Sequence, residues 1–145
     1  GHLFMADRGW YGFDCSLYNA ARLIELWSRK PREEKFGDAL YRVAPNLPTT
    51  GEVKIPCPEE DKERIVHAIT EAFSDCNRST VDGVRVRFEL NGEQTGWYLA
   101  RKSNTEEILV MRVEATTRAH LTEIMTAVND RVSAMIDISA LMSSV

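Results

Sequence analysis

The residues best suited to chemistry lie together in one hexapeptide, Arg101-Lys102-Ser103-Asn104-Thr105-Glu106. It combines a guanidinium, an ammonium, two hydroxyls, an amide and several backbone N–H groups. A phosphate carries about −1.5 to −2 charge near neutral pH and three acceptor oxygens, and arginine binds such a group with a planar fork of donors. A tight turn can add backbone N–H groups as a concave anion site. The hexapeptide therefore predicts a phosphate-binding turn. An ordinary polar hairpin turn is the alternative, since Ser, Asn and Thr are common turn residues.

The composition limits the class of protein that can carry this turn. The 145 residues are 43% hydrophobic, which is enough for one compact domain, and the formal charge is −4. An acidic chain argues against a general nucleic-acid binder, while a local positive cluster is sufficient for a small anion. Three widely spaced cysteines favour free thiols in a reducing compartment and predict no metal site. No apolar run reaches the ~18 residues of a membrane span, so we expect a soluble, cytoplasmic protein with no membrane partner.

Two strand-like runs, residues 96–100 and 108–115, flank the turn and must position it. Upstream, alternating apolar and polar residues predict a strand over residues 52–57, and residues 59–76 are predicted to form a helix that begins with acidic residues. The alternation returns over residues 84–90, before the turn signal Asn91-Gly92. A long apolar helical stripe follows at Leu121, Ile124, Met125, Val128, Val132 and Met135. The order β-α-β-β-β-α predicts an α+β fold, in which a four-stranded antiparallel sheet carries two helices on one face.

The N-terminal part follows a different pattern. Residues 2–6 are predicted to form a short strand, and Asp14 is predicted to cap a helix that ends at Arg29-Lys30. The apolar positions of that helix are Leu17, Ala21, Ile24 and Trp27. Residues 31–50 are rich in proline and charge, which indicates a connector that includes a short helical piece.

Three runs of the C-terminal part resemble a known family. Residues 81–86 (Val-Asp-Gly-Val-Arg-Val), residues 96–106 (Gly-Trp-Tyr-Leu-Ala-Arg-Lys-Ser-Asn-Thr-Glu) and residues 110–115 resemble the C-terminal domain of the alpha-D-phosphohexomutases. They are most similar to the bacterial phosphomannomutase/phosphoglucomutase branch. The N-terminal segments Gly1-His2-Leu3-Phe4, Tyr11-Gly12-Phe13-Asp14 and residues 20–25 resemble the end of the third domain of the same family, in the right order.

The resemblance implies an isomerase that interconverts hexose 6-phosphate and hexose 1-phosphate. In the family, a phosphoserine of the first domain exchanges the phosphoryl group, hexose 1,6-bisphosphate is the intermediate, and Mg²⁺ is held by the second domain. The fourth domain, which has a TATA-binding-protein-like fold, clamps the non-reacting phosphate of a mannose or glucose phosphate. This chain contains neither the serine loop nor the aspartate-rich metal loop. We therefore expect a C-terminal fragment that is inactive without the missing domains.

The resemblance also assigns roles to individual residues. The phosphate contacts fall on four residues, namely Arg101, Ser103, Asn104 and Thr105. Lys102 is an auxiliary candidate that offsets Glu107, which stands where many relatives have proline. His2 would end the sugar-binding loop and could assist proton transfer. The alternative, that Gly1-His2 is an expression-vector remnant, stays open.

The same resemblance divides the chain. Residues 1–30 would be the remnant of the third, α/β domain, residues 31–50 a linker, and residues 51–145 the phosphate-binding domain. Apolar side chains in residues 3–30 would then pack on the fourth domain or on a second copy, or be poorly ordered. A phosphoglucosamine mutase fragment and a non-catalytic anion-binding or assembly domain stay open as alternatives, and so does the hexose preference.

Overall fold

The computed structural model describes residues 3–6, 9–31, 33, 35–44 and 46–145. The chain divides into two compact units, Gly1–Asn46 and Leu47–Val145. The boundary between the units lies inside the segment that the sequence predicts as a linker.

The first unit contains two helices, α1 (Ser16–Ser28) and α2 (Phe36–Val43). Both were predicted, but the N-cap of α1 is Cys15 and not Asp14. The Asp14 carboxylate instead accepts a hydrogen bond of 3.3 Å from the Asn19 side chain, which also donates to the Leu3 carbonyl at 3.1 Å. The predicted strand over residues 2–6 is wrong for its described part, since residues 3–6 pair with no strand that the structure describes.

Helix α1 leaves its apolar side chains largely exposed. Leu17 is 81% exposed and Ile24 is 69% exposed, whereas the Trp27 ring packs edge-on against Phe36 with 5.1 Å between centroids. The expectation that this helix needs a further partner for burial stays a prediction.

The second unit contains one antiparallel sheet. Its strands are β1 (Val53–Pro56), β2 (Arg78–Ser79), β3 (Val84–Leu90), β4 (Glu93–Lys102) and β5 (Ile108–Ala115). They lie in the order β1-β5-β4-β3-β2. Four of the strands were predicted. The edge strand β2 was not, because two residues carry no detectable periodicity.

Helices α3 (Glu59–Ala72) and α4 (Arg118–Val132) cover one face of this sheet, and a short helix α5 (Ser139–Met142) follows. The core lies between these two layers. Its largest buried side chains include Tyr98, Phe73, Ile55, Ile69, Leu109, Met111 and Leu121. The predicted α+β fold is confirmed. Five residues of the predicted apolar stripe, from Leu121 to Val132, are buried on α4, whereas Met135 lies beyond the end of α4 and is partly buried.

A tight hairpin turn joins β3 to β4, the strand that leads to the candidate site. Asn91 and Gly92 both have positive φ, of 53° and 83°, which suits a two-residue hairpin turn.

Strand β4 continues two residues beyond the predicted end at Ala100. Arg101 and Lys102 therefore belong to the strand. Since successive side chains of a strand point to opposite faces, Lys102 lies on the helix-covered face with Tyr98, and Arg101 on the other.

Candidate phosphate-binding site

The turn between β4 and β5 is organised around the Ser103 hydroxyl. The Ser103 N–H donates to the Ile108 carbonyl at 3.1 Å, which closes the turn. The Ser103 Oγ accepts hydrogen bonds from the backbone N–H groups of Thr105 at 3.3 Å and Glu106 at 3.1 Å. Because a hydroxyl has two acceptor lone pairs and one donor hydrogen, the Ser103 proton can still be donated to an anion.

Three further donors of the predicted set are uncommitted. Among the described residues, the Arg101 guanidinium forms one ion pair, with Asp82, and the distance of 3.9 Å from Nη1 to Oδ2 is too long for a hydrogen bond. Its side chain is 34% exposed. Asn104 and Thr105 are exposed, and their side chains make no hydrogen bond within the described part of the chain. The four predicted phosphate ligands thus lie at the end of β4 and in the turn that directly follows it.

Gly83 allows the chain to pass close behind Arg101. An added Cβ at Gly83 would lie 2.2 Å from the Ala100 carbonyl oxygen and 2.7 Å from the Arg101 Cα. Gly83 also has a φ of 73°, a region that side-chain-bearing residues rarely adopt. Glycine at position 83 is therefore required by the close approach to the part of β4 that carries Arg101.

Lys62 is the residue of this region that sequence reasoning missed. Its side chain is 1% exposed, and its Nζ donates to the Ser103 carbonyl at 3.0 Å and to the Glu106 carbonyl at 2.6 Å. Lys62 directly follows the acidic first turn of α3, Glu59, Glu60 and Asp61. The available signal was spacing, because Lys62 stands three and seven residues before Ile65 and Ile69 and so shares their buried face.

A family model for the phosphoglucomutase/phosphomannomutase C-terminal domain matches residues 52–131. The chain belongs to this phosphohexomutase family. The matched range contains the whole turn, Gly83 and Lys62. The resemblance identified from the sequence is confirmed.

Individual relatives agree with this assignment. A phosphomannomutase/phosphoglucomutase of Pseudomonas putida is 39% identical over 126 residues, which are 86% of this chain and 25% of that protein. The protein of the same name from Pseudomonas aeruginosa is 35% identical over 93% of the chain. A crystal structure of a phosphoglucomutase/phosphomannomutase family protein from Burkholderia thailandensis covers 93% of the chain with a TM-score of 0.71 and 33% identity. The chain spans about a quarter of the length of the curated relatives.

The other charged residues of this phosphohexomutase turn are partly neutralised. Lys102 forms an ion pair with Glu63 of α3, and this hydrogen bond raises the pKa of the Lys102 ammonium. Lys54 Nζ binds both carboxylate oxygens of Glu106, at 2.8 and 3.0 Å. Glu107 is exposed and accepts a backbone hydrogen bond of 3.0 Å from the Cys57 N–H. Lys102 therefore faces α3 and is separated by the strand from the Arg101 side chain.

The Mg²⁺ that the family implies finds no ligand set in this part of the chain. Among the described residues, no three His, Cys, Asp or Glu side chains come together. His2 lies outside the described residues.

No helix in the described ranges is long and apolar enough to cross a membrane.

Proposed function

We propose that this chain binds the non-reacting phosphate of a hexose phosphate for a phosphohexomutase that interconverts hexose 6-phosphate and hexose 1-phosphate. The observation that carries the proposal is a set of adjacent side chains at the end of β4 that donate no hydrogen bond within the described part of the chain. These are the Arg101 guanidinium, the Ser103 hydroxyl proton, the Asn104 amide and the Thr105 hydroxyl. A planar fork beside hydroxyl and amide donors matches the several oxygens of a phosphate monoester.

The proposed role is to bind and orient the substrate. Interactions with a remote group of the substrate can hold its reacting end in place. Phosphoserine, Mg²⁺ and hexose 1,6-bisphosphate belong to the proposal as parts of the complete enzyme, where Mg²⁺ would neutralise phosphoryl charge. The residues of this chain supply charge-assisted hydrogen bonds to the distal phosphate, whether the sugar is mannose or glucose.

A titration followed by backbone amide NMR shifts tests the proposal. Mannose 1-phosphate and glucose 1-phosphate should shift the amide signals of residues 101–106, whereas neutral mannose should not. Arg101→Ala removes hydrogen bonds to a charged group, each worth about 1.5–3 kcal/mol. Because the Arg101 site is partly exposed, we expect the low end of this range, which is roughly a tenfold rise in Kd.

Arg87→Ala is the matched control. Arg87 also lies on the face of the sheet opposite to α3 and α4, but its Nε is 3.0 Å from the Glu89 carboxylate. Its loss should leave Kd within about twofold. Equal Kd values for the parent and Arg101→Ala, or ligand shifts that avoid residues 101–106, would contradict the proposed site. Glucosamine 1-phosphate in the same titration checks the third hexose class, and equal affinity would show that the turn recognises the phosphate alone.

A further inference from the structure

We propose that Lys62 is a positioning residue that holds the Ser103–Glu106 turn in its anion-binding conformation from beneath. The inference rests on the proposed function for the identity of the anion, but not for the effect of Lys62 on the turn. Lys62 extends from α3 and is buried. Its ammonium reaches the carbonyls of the first and last residues of the turn, Ser103 at 3.0 Å and Glu106 at 2.6 Å.

These two contacts determine where the neighbouring N–H groups point. A trans peptide is planar, and its C=O and N–H point in opposite directions. Since the carbonyls of Ser103 and Glu106 point toward Lys62, the N–H groups of Asn104 and Glu107 point away from it. The Arg101 side chain also leaves β4 on the face opposite to α3. The ammonium therefore fixes the carbonyls on one side and leaves backbone donors for the other.

The contacts of Lys62 are complete for a lysine. An ammonium has three donor hydrogens, and Lys62 has three acceptor groups, the two carbonyls and the Glu59 carboxylate. Burying such a charge costs several kcal/mol unless it is well paired. A neutral side chain at this position would remove the donor from both turn carbonyls. It would also remove a positive charge that lies directly behind the anion site, where low exposure weakens solvent screening.

Comparison of Lys62→Met with Lys54→Met tests the inference. Lys54 serves as the control because it also contacts the turn, but it is 62% exposed and, among the described residues, binds only the Glu106 side chain. The measurements are ¹⁵N relaxation of residues 104–106 without ligand and the Kd for inorganic phosphate. In Lys62→Met we expect lower order in the turn and at least a tenfold higher Kd, while the buried Tyr98 amide keeps its slow exchange. Lys54→Met should change Kd less than threefold.

Two outcomes would overturn the inference. The first is a folded Lys62→Met variant with parental turn order and parental Kd. If that variant does not fold, the unsubstituted chain decides the question. The Lys62 ammonium protons should then exchange slowly and shift when phosphate is added, and exchange as fast as that of Lys54 would be the second refuting result. Failure of the parent to bind any hexose phosphate would refute the proposed function alone, since the relaxation comparison still reports on Lys62.

Discussion

Replacing Gly83 with alanine tests whether close backbone contact positions Arg101. The new Cβ would meet the Ala100 carbonyl oxygen at 2.2 Å and the Arg101 Cα at 2.7 Å, both below the 3.0 Å that Cβ contacts essentially never cross. These atoms belong to the backbone of β4, so no side-chain rotation relieves the clash. Either β3 or the end of β4 must move.

The size of the effect follows from two contributions. A left-handed backbone costs an alanine about 1–2 kcal/mol, and forced backbone shifts in a packed region cost about 1–3 kcal/mol. We therefore expect a loss of roughly 2–5 kcal/mol in the free energy of unfolding, a large share of the about 5–15 kcal/mol of a typical domain. Gly92→Ala is the control, because Gly92 has a similar φ of 83° but open space around its Cβ position. It should lose only the about 1–2 kcal/mol of the backbone contribution.

Hydrogen exchange of the Tyr98 amide in the sheet core measures both variants in the unit that contains the site. The Kd for mannose 1-phosphate is measured in parallel. Gly83→Ala should be less stable than Gly92→Ala and should bind the ligand more weakly, because Arg101 is displaced. If the two variants have equal stability and equal affinity, the close approach does not position Arg101 and the reasoning is refuted.

Two further predictions concern pH. Burial raises the pKa of the Tyr98 phenol well above its usual value, so the folded state keeps this proton above pH ~10 while the unfolded state loses it. The free energy of unfolding should therefore fall as pH rises above ~10, and Tyr98→Phe should reduce that fall in urea titrations at pH 8 and 11; an unchanged slope would contradict this. At the acidic end, the hydrogen bond from Arg131 lowers the pKa of Asp75 from 3.8 to about 2, so its stabilising contribution is present above pH 3.8 and is lost as pH falls toward 2. Asp75→Asn should flatten the urea-midpoint curve over that window, and an identical curve would count against the pairing with Arg131.

The sequence predicted the elements that bury one face and are long enough to show a period of apolar residues. The alternation of Val84 and Val86 in β3 and the apolar stripe of α4 both reflect contact with a single core, and contact of this kind produces a readable period. Strand β2 and helix α5 are too short to show one. Strand β4 begins at Glu93, before the predicted Gly96, because backbone pairing across the hairpin includes polar residues that carry no apolar alternation.

The candidate phosphate-binding residues were predicted from the sequence, but the buried Lys62 that contacts the backbone of their turn was not. Arg101, Ser103, Asn104 and Thr105 are adjacent in sequence, so their clustering needed no knowledge of the fold. Lys62 lies 41 residues before Ser103, and only the packing of α3 against the sheet brings the two together. The predicted strand near the N-terminus fails for a related reason. A strand needs a partner, and local sequence does not show whether one is within reach.

The register of β4 decides which cation the site offers to a ligand. Tyr98 and Ala100 are fully buried, so the two-residue period of the strand places Lys102 toward α3 and Arg101 on the opposite face. The cross-strand partners agree, with Arg101 opposite Val110 and Lys102 opposite Leu109. A slip of one residue would exchange the two faces. The flat, bidentate guanidinium would then face Glu63, and a lysine, which binds as a point charge, would face the proposed phosphate. The apolar residues of β4 thus determine the chemistry of the turn that follows them, although none of them would touch the ligand.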